Sequence, residues 1–209
     1  MSLVHEVIRA VRATLVLWVL VAVIYPVLIL AVGQVAFPYQ ANGSLIKNDQ
    51  GQVIGSTLIG QPFTSDLYFN SRPSTTHYSS VNPQNDTAGI LETGTSGASN
   101  LAPSNPALLE RIQGQAGSNP AMGDVAKLKQ AGIQPTADLI YTSGSSLDPH
   151  ITPEAARAQI TRIAQARQRP SEQLEELIRQ NTEGRSLGIF GEPGVNVLKL
   201  NAALDTVSR

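Results

Sequence analysis

From residue 13 to residue 46 the chain carries no Asp, Glu, Lys or Arg, and from 13 to 37 almost every position is apolar. Read as a helix, residues 13–37 rise about 37 Å at ~1.5 Å per residue, more than the ~30 Å hydrocarbon core of a bilayer. A strand of that length is excluded, and a buried core helix rarely stays apolar on every face. A cleaved signal sequence is the competing reading, but the run is about twice a usual apolar stretch of ~7–15 residues. A retained transmembrane helix is therefore expected. Within it, Tyr25 and Pro26 mark a kink, because proline removes one backbone hydrogen bond.

Beyond the span the pattern changes. Phe37 and Pro38 close the helix, and Gln40, Ala41, Asn42, Gly43 and Ser44 read as a tight connector. Short β-rich runs at 44–47 and 52–59 flank a turn signal, Asn48, Asp49, Gln50, Gly51. Residues 61–106 are crowded with Ser, Thr, Asn, Pro and Gly and show no period. Phe63, Leu67, Tyr68, Phe69 and Tyr78 punctuate them, as anchors that pin a long loop to a core or a partner. Helices are expected after Asn105-Pro106, after Asn119-Pro120, after Thr152 through about residue 168, and after Ser171. Residues 138–142 and 195–200 read as strands, with Asn201 capping a last turn. Helices and strands without βαβ repeats give an α+β class: one N-terminal transmembrane helix and one mixed soluble domain.

Charge assigns the sides. Arg9 and Arg12 precede the span, and the first basic residue after it is Lys47, so residues 1–12 are expected in the cytoplasm, 13–37 in the membrane and 38–209 outside the cytoplasm. The soluble part holds 13 Lys and Arg against 15 Asp and Glu, which argues against a nucleic-acid footprint. No cysteine occurs, so disulfides, thiol catalysis and cysteine zinc sites are excluded.

The densest chemistry is the loop Ser143, Gly144, Ser145, Ser146, Leu147, Asp148, Pro149, His150. A membrane-anchored hydrolase would use Ser145, Asp148 and His150, yet triads are defined by geometry, and the stretch is not G-x-S-x-G. A polar structural or interface loop is the simpler reading. The three histidines, His5, His77 and His150, show no metal-ligand spacing, so no metal site is expected. The Gly-rich stretch at 93–100 lacks Gly-Lys-Ser/Thr, so it is not a P-loop. Arg157, Arg162, Arg167 and Arg169 lie opposite an Ala/Ile stripe and read as a solvated face.

Ordered blocks along the chain carry a resemblance. They are Tyr25 and Pro26; Gln40, Asn42, Gly43 and Ser44; Gln61; Tyr68 and Phe69; Arg72, Pro73 and Ser74; Ser99 and Asn100; and the loop from Ser143 to His150. Gly191, Glu192, Pro193 and Val195 through Leu198 complete the series. Together the blocks resemble the C subunit of the Kdp-type potassium-transporting P-type ATPase. Asn70 and Tyr141 depart from the family pattern, and the likeness is weak between 119 and 134.

The resemblance implies a non-catalytic accessory subunit of an ATP-driven potassium uptake complex in a bacterial inner membrane. It implies a channel-like potassium-binding subunit and a P-type ATPase subunit as partners, with a small single-helix subunit, and makes the quoted loop residues candidate partner contacts. It also implies a catalytic chaperone that raises the pump's ATP affinity, and ATP binding by this chain. A domain outside the cytoplasm does not meet cytosolic ATP, however, and the chain has no phosphate loop. The role favoured by topology is support of the channel-like subunit at its outer mouth.

Overall fold

The structure, a computed structural model, describes residues 3–48, 50–80, 94–115 and 122–207. The chain divides into two compact units, Met1–Leu45 and Ile46–Arg209.

The first unit is the apolar helix. Helix α1 (Leu3–Val19) runs through a π turn (Leu20–Ile24) into α2 (Tyr25–Ala36), 34 residues in all. The helix thus starts ten residues earlier than the apolar run, because helix propensity does not stop at the charged residues Glu6, Arg9 and Arg12. Its apolar side chains, Trp18 and Leu28 among them, are exposed along its whole length, as a lipid-facing span requires. The π turn sits where the sequence predicts trouble. Pro26 has no N–H to give, and the Tyr25 N–H reaches back to Leu20 O, widening the ladder by one residue. Phe37 leaves helical geometry, and Pro38 opens a single turn, α3 (Pro38–Ala41). The connector then closes on itself: Asn42 donates to Gln34 Oε1 and Pro38 O, and Tyr39 Oη donates to Ser44 O.

From Leu45 on, β1 (Leu45–Lys47) and β2 (Val53–Ser56) form a two-stranded sheet. Next come α4 (Pro106–Gln113), α5 (Asp124–Gln130) and the single turn α6 (Ala137–Ile140). Strand β3 (His150–Ile151) leads into α7 (Pro153–Arg157), α8 (Ile160–Arg167) and α9 (Ser171–Gln180). Strands β4 (Thr182–Glu183) and β5 (Gly194–Asn196) then precede α10 (Val197–Val207). The second sheet is antiparallel with order β3-β5-β4, pairing His150 with Asn196, Ile151 with Val195 and Glu183 with Gly194.

One core joins β3, β5 and the helices from α6 to α10. Ile151, Ala155, Ala156 and Ile163 meet Leu174, Leu177 and Ile178 of α9 and Val195, Val197, Leu200 and Leu204 of β5 and α10. Phe69 inserts from the long loop and is fully buried, as the aromatic punctuation implied. The predicted caps hold at two helices: Asn105 accepts from Ala107 N, and Thr152 from Ala155 N.

Several expectations need correction. Residues 138–142 are not a strand: α6 turns after Thr136, and Asp138 Oδ2 accepts from Thr152 N. The helix after Thr152 is two helices, α7 and α8, broken at Ala158 and Gln159. Residues 195–200 do not continue as a strand. The Asn196 side chain accepts from Lys199 N, an N-cap that ends β5 and starts the 11-residue α10. The Asn119-Pro120 start lies outside the described residues, and α5 begins at Asp124.

Candidate functional site

Residues 66–70 of the long loop need donors and acceptors for their backbone, and the helices supply them. Asn201 Oδ1 accepts from Phe69 N and Asn201 Nδ2 donates to Phe69 O, both at 2.9 Å. One residue on, Gln159 Oε1 accepts from Asn70 N at 2.7 Å, and Gln159 Nε2 donates to Asn70 O at 3.1 Å. Each buried amide therefore acts as one rung of a strand would. Arg162 adds Nη1 to Asp66 O and Nη2 to Tyr68 O. Arg167 donates to Leu67 O, pairs with Asp205 at 2.7 Å and lies 4.8 Å over the Tyr68 ring. The Tyr68 hydroxyl donates to the same Asp205.

The solvated-face reading of the α8 arginines is thus overturned for Arg162, which is buried, and for Arg167, whose side chain is 10% exposed, because the loop carbonyls must be satisfied. Burial lowers the pKa of Arg162, and Asp66 partly offsets that. Arg157, paired with Glu175, is exposed as expected.

The serine loop is knitted from both sides. Ser143 N donates to Pro73 O, Ser74 Oγ to Ser146 O, and Gly60 N to Leu147 O. Ser146 Oγ donates to Gly97 O and accepts from Thr75 N. Gly97 N and Ser96 Oγ both donate to Ser145 O, while Thr142 reaches Ser99. Pro149 O receives Val197 N from the start of α10. Gln61 holds its own turn, donating to Ile54 O and accepting from Ser71 through its carbonyl.

Next to the loop runs a chain of charges. Arg72 Nη1 lies between Asp138 Oδ1 at 3.5 Å and Asp148 Oδ2 at 3.6 Å. Asp148 Oδ1 accepts from His150 N at 2.9 Å and faces His150 Nδ1 at 3.5 Å. His150 Nε2 sits 3.4 Å from Glu183 Oε2, without hydrogen-bond geometry, and Glu183 Oε1 accepts from Lys199 at 2.7 Å. The sheet makes this possible: His150 and Glu183 flank β5, and Gly194 leaves the imidazole room.

Electrostatics follow the geometry. The Asp148 hydrogen bond raises the His150 pKa against the opposing pull of burial, with Glu183 adding to the rise. Burial pushes Asp148 up, but the His150 bonds and Arg72 outweigh it and hold the carboxyl below its ordinary range. Lys199 does the same for Glu183. Burial also pushes the Tyr78 phenol up to about 12, where its hydroxyl donates to Arg72 O.

A pH dependence is expected. With its folded pKa raised, His150 contributes stability that is complete below its unfolded value of about 6.5 and disappears as pH rises through the folded value. Asp148 and Glu183 are depressed, so their share is present above about pH 4 and is lost as pH falls through their folded values. His150→Gln should therefore cost more at pH 5.5 than at pH 8.5. The difference should be a few tenths to about 1 kcal/mol, as for half-exposed pairs. Urea unfolding at the two pH values checks it, and an equal cost at both would remove His150 from the linkage.

Arg72, Tyr78 and Leu139 also border a cleft of about 330 Å³, with Phe63, Asp124 and Lys127 on its other walls. Among the described residues no three His, Cys, Asp or Glu side chains gather as a metal site.

The structure thus places the predicted residues in two sets. Tyr25, Pro26, Gln40, Asn42, Gly43 and Ser44 belong to the first unit. Gln61, Tyr68, Phe69, Arg72, Pro73, Ser74, Ser99, Asn100 and residues 143–150 belong to the second, where most are tied into the loop network above. The hydrolase triad is not brought together. Ser145 Oγ meets Ser143 Oγ and Leu147 N, while both His150 ring nitrogens face carboxylates. Sequence reading missed Gln159, Glu183 and Lys199; it placed Asp138 in a strand and Asn201 as a cap, whereas Asp138 accepts from Thr152 N and Asn201, inside α10, clamps Phe69. Asn201 left a trace, a polar residue in register with Leu200 and Leu204 on the apolar face of α10.

Comparison with known proteins agrees with the resemblance over the whole chain. Residues 7–206 match the family model described as KdpC, the c chain of the K+-transporting ATPase. The chain is 66% identical to the potassium-transporting ATPase KdpC subunit 1 of Nostoc sp., over 98% of each. It is 62% identical to the KdpC subunit of Microcystis aeruginosa, over 100% of this chain and 99% of that one. With the KdpC subunit of Geobacter sulfurreducens it shares 46% identity over 88% of each. The chain belongs to the KdpC family, the c chains of potassium-transporting ATPases.

Proposed function

We propose that this chain is the non-catalytic accessory subunit of an ATP-driven potassium uptake complex. Its span packs in the bilayer beside a channel-like potassium-binding subunit, a P-type ATPase subunit and a small single-helix subunit. Its folded unit lies outside the cytoplasm, following the two arginines before the span. One observation carries the reading: the match to potassium-transporting ATPase subunits runs over nearly the full length of this chain and of its relatives.

The soluble unit supports that role by its chemistry. Its serines and amides are spent on backbone groups of its own loops, which makes a rigid presenting surface. The raised ATP affinity expected of the pump then arises through contact between subunits, since among the described residues Ser145 and His150 do not meet as nucleophile and base, and the orientation proposed here turns the domain away from cytosolic ATP. Nothing in the geometry favours the hydrolase.

The test is co-expression of the full chain with the other potassium-ATPase subunits of the same source, followed by purification in detergent. The chain should co-purify with potassium-stimulated ATP hydrolysis. Omitting it should lower the yield of assembled complex or raise the KM for ATP. A pump that assembles and hydrolyses ATP with the same KM without it would end the proposal.

A further inference from the structure

Residues 185–192 form a closed tip whose apolar side chains point into solvent. Leu187 is 86% exposed, Ile189 72% and Phe190 64%. The tip is nevertheless built. Ser186 and Phe190 exchange both backbone hydrogen bonds, Gly188 N donates to Arg185 O, and Ile189 N donates to Ser186 O. At its neck Arg185 Nη2 reaches both carboxylate oxygens of Glu192, at 2.9 and 2.8 Å. Leu187 stands at φ 53°, in the left-handed region that Gly or Asn occupies more easily. A large apolar side chain is thus held outward at a strained position of a fastened loop.

Three such side chains offer on the order of 400 Å² of apolar surface, the range in which exposed patches mark interaction sites. That is about half of the ~800 Å² per partner that a stable interface needs. The tip alone therefore cannot hold a partner drawn from solution. A partner anchored in the same membrane is different, because the N-terminal helix raises its effective concentration. Lipid is the rival occupant, because interfacial segments insert Phe and Leu as well as Trp, but they also offer free Lys or Arg to the headgroups. The tip has no Lys, and its one arginine is committed to Glu192.

We infer that the 185–192 tip is a docking element, seating Leu187, Ile189 and Phe190 in an apolar recess of another membrane-anchored subunit of the potassium-transporting ATPase. This rests on the subunit role proposed above and names a contact through which it is exercised.

The full chain, co-expressed with the other subunits, tests it in two arms. With photoreactive benzoylphenylalanine at Leu187, irradiation should crosslink the chain to another subunit of the complex, and the same probe at exposed Glu172 should not. Crosslinks only to lipid, only to a second copy of this chain, or to nothing would overturn the inference. In the second arm, Leu187→Asn with Ile189→Asn removes apolar surface while Asn accepts the left-handed backbone. Recovery of the partner subunits with the chain should fall roughly tenfold, with the unfolding midpoint of the chain unchanged. Unchanged recovery would overturn the inference, and if the variant melts early the crosslink decides. Should the native chain recover no ATPase subunit, the proposed function fails too. If native and variant recover them equally, only the tip is wrong.

Discussion

Asn201→Ala should be among the most destabilising single changes in the soluble unit, costing about 3–5 kcal/mol. The truncation strips both partners from the Phe69 backbone at once, since one side-chain amide serves its N–H and its carbonyl. Phe69 and Asn201 are both essentially inaccessible to water, so neither group finds a replacement. Each unsatisfied buried group costs roughly 1–3 kcal/mol, and the small void adds to that. For a unit of this size the melting temperature should drop by roughly 10 °C. Asn201→Asp is the sharper comparison: its Oδ1 still accepts from Phe69 N, but an oxygen replaces the donor that faced Phe69 O. It should be no better than Ala. Denaturant unfolding of the full chain in detergent reads both, and a loss below about 1 kcal/mol for Asn201→Ala would mean that the loop is not held by this clamp.

The elements that local sequence controls were legible, and those set by distant partners were not. The transmembrane helix, the caps at Asn105 and Thr152 and the apolar stripe of α9 follow from periodicity and from capping chemistry within a few residues. The β5–α10 junction did not, because Val195 to Leu200 alternates well enough for a strand until Asn196 turns its side chain onto Lys199 N. Arg162 looked solvated on its helix, yet it is 96 residues from Asp66, whose carbonyl decides its fate. The serine loop was legible as dense in polar chemistry, but the partners of its side chains were not. Eight residues held hydroxyl, carboxylate and imidazole, and only geometry could show the hydroxyls turned to backbone and the imidazole to carboxylates. The apolar tip left a faint signal, Leu187, Ile189 and Phe190 among glycines, that reads equally well as a short buried strand.

Gly60→Ala should be the other severe change, at about 2–3 kcal/mol, since it drives a methyl into the seam between the long loop and the serine loop. A Cβ there would stand 2.6 Å from Cε1 of the buried Tyr78 ring and 2.8 Å from the Asp148 carbonyl oxygen. Neither neighbour can retreat freely. Tyr78 lies in a turn where His77, Tyr78 and Ser79 all have positive φ, and its hydroxyl is bonded to Arg72 O. The Asp148 backbone sits between two fixed points, Leu147 O on Gly60 N and Pro149 O on Val197 N. Relief must come from moving the loop, which breaks the Gly60 bond and disturbs the Arg72–Asp148–His150 chain. Gly144→Ala, in the serine loop but with nothing within 4 Å of the new methyl, should stay within about 0.5 kcal/mol of the native chain. The pair isolates the clash from any general effect of replacing glycine. If Gly60→Ala also unfolds within about 0.5 kcal/mol of the native chain, the two loops are looser than their hydrogen bonds require.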